Sequence, residues 1–275
     1  MFMRIIVRYG GRIWGMEGGR HLLLRFLFIV SAALMAFVFA VIFVLDSFLI
    51  KGNSMEPTLR SGQRVYVCKL LMGARIYKNY DFSSSKLSSF RMPGLRKPKI
   101  GDVLVFNYPY ARSKDTIGFR INYVYAKRCL GTPGDSVSIV DGFYRGKNGR
   151  LLGEIVPQKR LHALQDSLLM KMNGCYFTID GRNIKNFGPV YVPGKGDKVT
   201  LGKSEFSWYR KLIRFETGVE PEINTMGHVL LDGSRVTEYE FKGNWYFLGG
   251  DNVLDSRDSR YFGLVPEEYI VGIII

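Results

Sequence analysis

Histidine and cysteine are nearly absent from this chain, with three of each among 275 residues, and much familiar chemistry goes with them. Cys68, Cys129 and Cys175 lack metal-ligand spacing. Zinc is therefore excluded, and an odd, sparse set is no disulfide framework. His21 precedes a long apolar run, while His162 and His228 stand beside no recognisable catalytic partner. A Ser-His-Asp triad thus has little support, and no G-x-S-x-G elbow surrounds Ser54, where Glu56 takes the second glycine position. Acid is also short, 24 Asp and Glu against 39 Lys and Arg, for a net charge of +15. The basic residues are scattered, which argues against nucleic acid and suits the anionic headgroups of a lipid bilayer.

What the chain does have is an apolar run. Phe26 to Leu45 is twenty residues without a charge, Ser31 being its one polar side chain, bracketed by Arg25 and Asp46. At about 1.5 Å per residue it spans the roughly 30 Å hydrocarbon core of a membrane. A cleaved leader would have a core of about 7–15 residues and a small-residue cleavage site. Asp46-Ser47-Phe48-Leu49-Ile50 supplies none, so the segment reads as an uncleaved anchor. Arg4, Arg8, Arg12, Arg20 and Arg25 against Glu17 favour a cytoplasmic basic N-terminus over residues 1–25. The transmembrane helix is then 26–45, and everything later lies outside the cytoplasm. The closing Val271-Gly272-Ile273-Ile274-Ile275 is too short to span, which predicts a single pass.

Beyond the anchor the pattern is mostly β. Arg64–Cys68, Asp102–Phe106, Ser136–Val140 and Trp245–Leu248 are short β-branched or aromatic runs between glycine-rich turns. Asp232-Gly233 reads as a hairpin turn. Residues 72–99 read as an exposed basic loop. Residues 141–244 read as an inserted β-rich lobe with a short helix around Leu161–Met172. The core is expected from 46–140 and 245–275.

Two segments carry the chemistry. Gly52-Asn53-Ser54-Met55-Glu56-Pro57 offers a serine. An extended run would place Phe48, Ile50, Gly52 and Ser54 on one face, so that an apolar peptide could lie alongside with its carbonyl at the hydroxyl. A serine hydroxyl needs a base. Lys127, in Tyr123-Val124-Tyr125-Ala126-Lys127, has apolar neighbours that could bury its amine, and burial favours the neutral form. Ser83-Ser84-Ser85-Lys86 fits the S-x-x-K string of penicillin-recognising enzymes, but S-D-N and K-T-G do not occur. In a polar loop the match reads as coincidence.

Four segments together resemble the boxes of bacterial type I signal peptidases, in the same order: Gly52–Leu59, Gly101–Phe106, Lys127–Asp135, and Gly250-Asp251-Asn252 followed by Asp255–Pro266. The resemblance implies an antiparallel β catalytic core behind one N-terminal transmembrane helix. It implies a membrane-bound serine endopeptidase, free of metal and cofactor, that acts on the signal peptides of secretory preproteins. Ser54 would attack, Lys127 would take its proton, and Ser256 would hydrogen-bond and orient the lysine amine. Asp258 and Arg260 would form a supporting ion pair. The Ser54 amide, beside Gly52 and Asn53, would hold the oxyanion; Gly52 stands where some relatives have a second, hydroxyl donor. Phe48, Ile50, Met55 and Ala126 would build pockets for small side chains one and three residues before the cut. Two alternatives are a signal-peptide-binding scaffold without turnover and a self-cleaving regulator, the latter disfavoured because no DNA-binding head fits residues 1–25.

Overall fold

The structure is a computed structural model that describes residues 3–79, 87–169 and 183–275, with side chains in the first helix from residue 19 onward. The arginines at 4, 8 and 12, Glu17, the Ser83–Lys86 string and Cys175 lie outside the described residues or side chains. The chain divides into two compact units, residues 1–45 and 46–275.

The first unit is helix α1, Met3–Phe39, continued by a π-helical turn over Ala40–Val44. Gly19–Val44 forms a stretch of mean hydropathy 2.9, long and apolar enough to cross a membrane. None of it is buried within the protein, which distinguishes it from the core helix of a soluble domain.

The second unit is mostly antiparallel β. Ten strands matter here: β1 Leu45–Leu49, β2 Arg64–Cys68, β3 Val103–Asn107, β4 Val124–Gly131, β5 Ser136–Val140, β6 Phe143–Arg145, β7 Phe187–Tyr191, β8 Trp245–Gly249, β9 Val265–Pro266 and β10 Ile270–Ile274. Seven form one sheet, in the order β1-β2-β10-β3-β4-β8-β9, and β6-β5-β7 form a second. β2 alternates as period two demands: Val65 and Val67 are buried, while Arg64 and Tyr66 face solvent. Strand β10 is the closing apolar segment, which pairs with β2 on one side and β3 on the other. A run too short for a membrane is the right length for a central strand buried on both faces. The Asp232-Gly233 turn forms as expected: both residues have positive φ, and Leu231 pairs with Ser234 across it.

Three expectations are corrected. Residues 72–99 are not simply an exposed loop, because Arg75–Tyr77 pairs with Ser89–Arg91 and Met72 and Ala74 are buried beside them. The helix expected near Leu161–Met172 starts earlier, as α2 Ile155–Ala163, followed by a single turn at Asp166–Leu169; residues 170–172 are outside the described part. A third helix, α3 Lys203–Thr217, was not anticipated. Its spacing is nonetheless plain: Trp208, Tyr209, Leu212 and Ile213 fall on one face and are buried, each contributing about 1.5–3 kcal/mol by leaving water. The Glu205 carboxylate accepts from the Gly202 amide at its start, and Gly218 closes it at φ +79°. Residues 141–244 share their core with the rest. Trp208, Tyr209 and Leu212 pack in one cluster with Leu130, Trp245 and Phe247, and β5 joins the sheet of β6 and β7.

Candidate active site

Ser54 lies in a turn, not at the end of a strand. β1 ends at Leu49, and Gly52, at φ +83°, turns the backbone into the bends of residues 52–59. The expected single face from Phe48 to Ser54 therefore stops at Ile50. Glycine adopts that φ without strain, and a hairpin-like reversal is what lets a surface strand deliver its serine inward. Two hydrogen bonds close the turn, Glu56 N–H to Asn53 O and Leu59 N–H to Met55 O. The Ser54 amide itself donates to no group among the described residues, so it is free to meet an oxyanion.

Lys127 arrives from β4. In the ladder with β3 it sits opposite Leu104, itself wholly buried, and only 3% of the lysine is exposed. Its Nζ lies 2.5 Å from Ser54 Oγ and 3.1 Å from Ala126 O, with the Tyr125 ring centre 5.4 Å away. Burial is the largest influence on this amine and lowers its pKa from 10.5 to about 8; Asp258 pulls the other way. An amine near pKa 8 is substantially neutral in mildly alkaline water and can accept a proton.

Ser256 is buried, yet its Oγ finds no hydrogen-bond partner with good geometry. The expected bond from this hydroxyl to Lys127 is not formed here. The hydroxyl is near enough to Asp258 to help hold that carboxylate down, and it packs against Gly250, where a Cβ would lie 2.0 Å from Ser256 Oγ and 2.6 Å from Ser54 O. Gly250 thus separates the two serines by the thickness of bare backbone.

Asp258 and Arg260 are not an ordinary surface pair, since both side chains are wholly buried. Arg260 Nε and Nη2 each donate to a different Asp258 oxygen at 2.8 Å. Nη1 donates to Val253 O and Nη2 also to Ser256 O. The Gly250 amide donates to the second carboxylate oxygen at 3.0 Å. Burial alone would raise the Asp258 carboxyl, but the Arg260 guanidinium and these donors bring it below its usual 3.8.

Three further residues were missed as site members. Arg128 forms a two-pronged pair with Asp251, both contacts at 2.7 Å, and reaches Thr58 Oγ1 and Gly101 O. Asn252 donates from its amide to Ser54 O and from its side chain to Asn53 O. These residues tie the turn bearing the serine to the strand bearing the lysine. The signal was adjacency: Arg128 follows Lys127, and Asp251 and Asn252 follow Gly250 in segments already singled out.

Phe48, Ile50, Met55 and Ala126 fall in one small apolar cluster with Leu59 and Val65. It flanks the turn of Ser54. Neither histidine approaches this chemistry: the His162 ring pairs with Asp141, and His228 bonds through its backbone to Asn224. Cys68 and Cys129 are free thiols. No group of three or more acidic, histidine or cysteine residues could hold a metal among the described residues.

The chain is similar to known proteins over nearly all its length. A signal peptidase I of Buchnera aphidicola (subsp. Schizaphis graminum) is 27% identical over 84% of this chain. One from Pseudomonas aeruginosa is 26% identical, also over 84%. The matches span 66% and 63% of those relatives, just under two thirds of their length. A crystal structure of a signal peptidase I from Enterococcus faecalis V583 is 21% identical and covers 65% of this chain and 97% of that one, at a TM-score of 0.32, too low for the superposition to bear weight. A family model described as "Signal peptidase, peptidase S26" matches residues 23–275, and on that span the chain belongs to the S26 signal peptidase family.

Proposed function

We propose that this chain is a membrane-bound serine endopeptidase that removes N-terminal signal peptides from secretory preproteins, with Ser54 as nucleophile and Lys127 as base. The observation that carries the reading is the 2.5 Å approach of Ser54 Oγ to a lysine amine that burial brings to a pKa of about 8. Neutral Lys127 takes the Ser54 proton as Oγ bonds to the scissile carbonyl carbon. The free Ser54 amide donates to the oxyanion that forms. When the C–N bond breaks, the ammonium of Lys127 returns the proton to the leaving amine. Lys127, neutral again, then deprotonates a water that attacks the acyl ester, and it returns that proton to Ser54 Oγ as the ester bond breaks. Arg260 and Asp258 brace Gly250, Gly250 sets the spacing of Ser54 and Ser256, and Ser256 fills the wall beside the dyad.

The apolar cluster of Phe48, Ile50, Met55 and Ala126 suits the small side chains that precede the cut. The helix through Gly19–Val44 suits a single-pass anchor in the cytoplasmic membrane, with the basic N-terminus inside and residues 46–275 outside. A signal peptide would span that same bilayer.

The test is cleavage of a preprotein by the full chain in detergent or lipid vesicles. Wild type should cleave, and Ser54→Ala and Lys127→Ala should each fall to background. Cleavage that survives both substitutions rules out the dyad; a folded wild type that binds signal peptide without cutting points to a scaffold. Because the ammonium cannot act as base, kcat/KM should rise with pH and level off above about 8. A rate flat from pH 6 to pH 10 is incompatible with a lysine base.

Gly250→Ala makes a separate point. The added methyl meets Ser256 Oγ and Ser54 O inside contact distance, and both are held in place. We expect kcat to fall by about a hundredfold, as misplacement of a reacting group by about 1 Å does. The overpacking should cost about 1–3 kcal/mol of stability in urea titrations. Activity within twofold of wild type would mean that the spacing is not critical.

A further inference from the structure

A cavity of about 440 Å³ opens beside the nucleophile turn and shares no lining residue with the apolar cluster. Pro57 and Arg60, Asn252, and Val156, Pro157 and Arg160 of α2 all line it. It adjoins the dyad directly, because Asn252 is the residue whose amide bonds to the Ser54 carbonyl and Pro57 follows Ser54 in the same turn. A peptide bound at Ser54 has two ends. The reading above gives the end before the cut to the cluster of Phe48, Ile50, Met55 and Ala126, which leaves this separate cavity for the end beyond it.

Its charge is distinctive. Arg128 and Arg260 are held by carboxylates, whereas the Arg60 and Arg160 side chains are exposed and make no ion pair or hydrogen bond among the described residues. One acid, Glu56, lines the cavity against these two guanidinium groups, so positive charge remains for a ligand. Apolar Val156 and Pro157 offer contact to the ligand backbone between them. Arginine in such a setting suits a carboxylate, which it can engage with two parallel donors.

We infer that this cavity binds the first residues of the mature chain after the cut and selects for an aspartate or glutamate there through Arg60 and Arg160. The inference rests on the peptidase reading above. An extended chain advances about 3.3 Å per residue, so the second to fourth residues after the cut lie roughly 7–13 Å from Ser54, within the span of such a cavity.

The experiment uses the full chain in detergent and a set of fluorogenic peptides with alanine one and three residues before the cut. A single glutamate is walked through the first five positions after the cut, against a parent with glutamine throughout. Wild type should cleave the glutamate peptide about three to ten times faster in kcat/KM at one or two positions, and added salt should shrink that ratio. In Arg60→Gln/Arg160→Gln the ratio should fall to about one. In Arg60→Glu/Arg160→Glu a lysine at the same position should become the preferred residue. The ratio is internal to each enzyme, so a partly folded variant does not distort it. A glutamate preference that is absent in wild type, or unchanged in the double variants, overturns the inference alone. Failure of wild type to cut any peptide overturns the peptidase reading and this one with it.

Discussion

Lys127→Met should abolish cleavage and, at neutral pH, make the folded chain harder to unfold. Loss of the base should cost about a thousandfold or more in kcat, since nucleophile and base act as a unit. The stability gain follows from linkage. The lysine pKa is 10.5 by reference and about 8 in the fold, so below pH 8 the native state carries a charge that burial disfavours. The unfolded chain binds more protons between those values, and wild-type stability therefore rises with pH from about 8 to 10.5. Methionine removes the penalty, which is on the order of 3 kcal/mol for a shift of this size. The advantage should be full below pH 8, shrink through the window, and vanish above about 10.5. Urea titrations at pH 7 and pH 11 measure it directly. An unchanged or lowered midpoint at pH 7 would mean that the amine is not a buried liability, and the case for its depressed pKa would fall.

Asp258→Ala should be among the most destabilising single changes in residues 46–275, at about 3–5 kcal/mol. It strands the Arg260 guanidinium, which is wholly buried, and an uncompensated buried charge is costly. It also takes the acceptor from the Gly250 amide, so the wall beside Ser256 should loosen and cleavage should fall with stability. Arg260→Met should cost a similar amount from the other side. The double variant should cost well under the sum of the two, because neither charge is then left alone. The folded Asp258 carboxyl lies below its usual 3.8. Its contribution is thus complete above about pH 4 and is lost as pH falls through the folded value. Single variants that each cost under about 1 kcal/mol would show that the pair behaves like a surface ion pair despite its burial.

The members of the site were readable in unequal measure, for physical reasons. Ser54, Lys127, Asp258 and Arg260 stand in motif segments, and Phe48 and Ile50 alternate as a strand does. The apolar run from Phe26 to Leu45 needs no partner to be recognised, because length and composition are local properties. Lys127 is different. Its apolar neighbours hinted at burial, but whether an amine is desolvated depends on what packs over it, and Leu104 arrives from another strand. Ser256 was expected against Lys127 and instead packs on Gly250, a detail of packing that no local pattern carries. Helix α3 was legible in its buried positions and was lost within a long stretch read as β. The closing residues 271–275 were measured against a membrane rather than against a sheet, where Ile270–Ile274 forms β10.

Hydropathy and pattern alone were enough for an apolar run long enough to cross a membrane, for the β character of the rest, and for a serine and a lysine of the types that can cut an amide bond without histidine. Those follow from hydropathy, period-two alternation and the presence of particular side chains, all of them local. Tertiary structure alone decided that Lys127 is dry, that Asp258 and Arg260 are sealed in the interior, that Arg128 and Asn252 hold the serine turn, and that Arg60 and Arg160 line one cavity beside it. Burial, ion pairing and the facing of distant segments arise only when strands far apart in the chain close over one another, so they are written in no single segment.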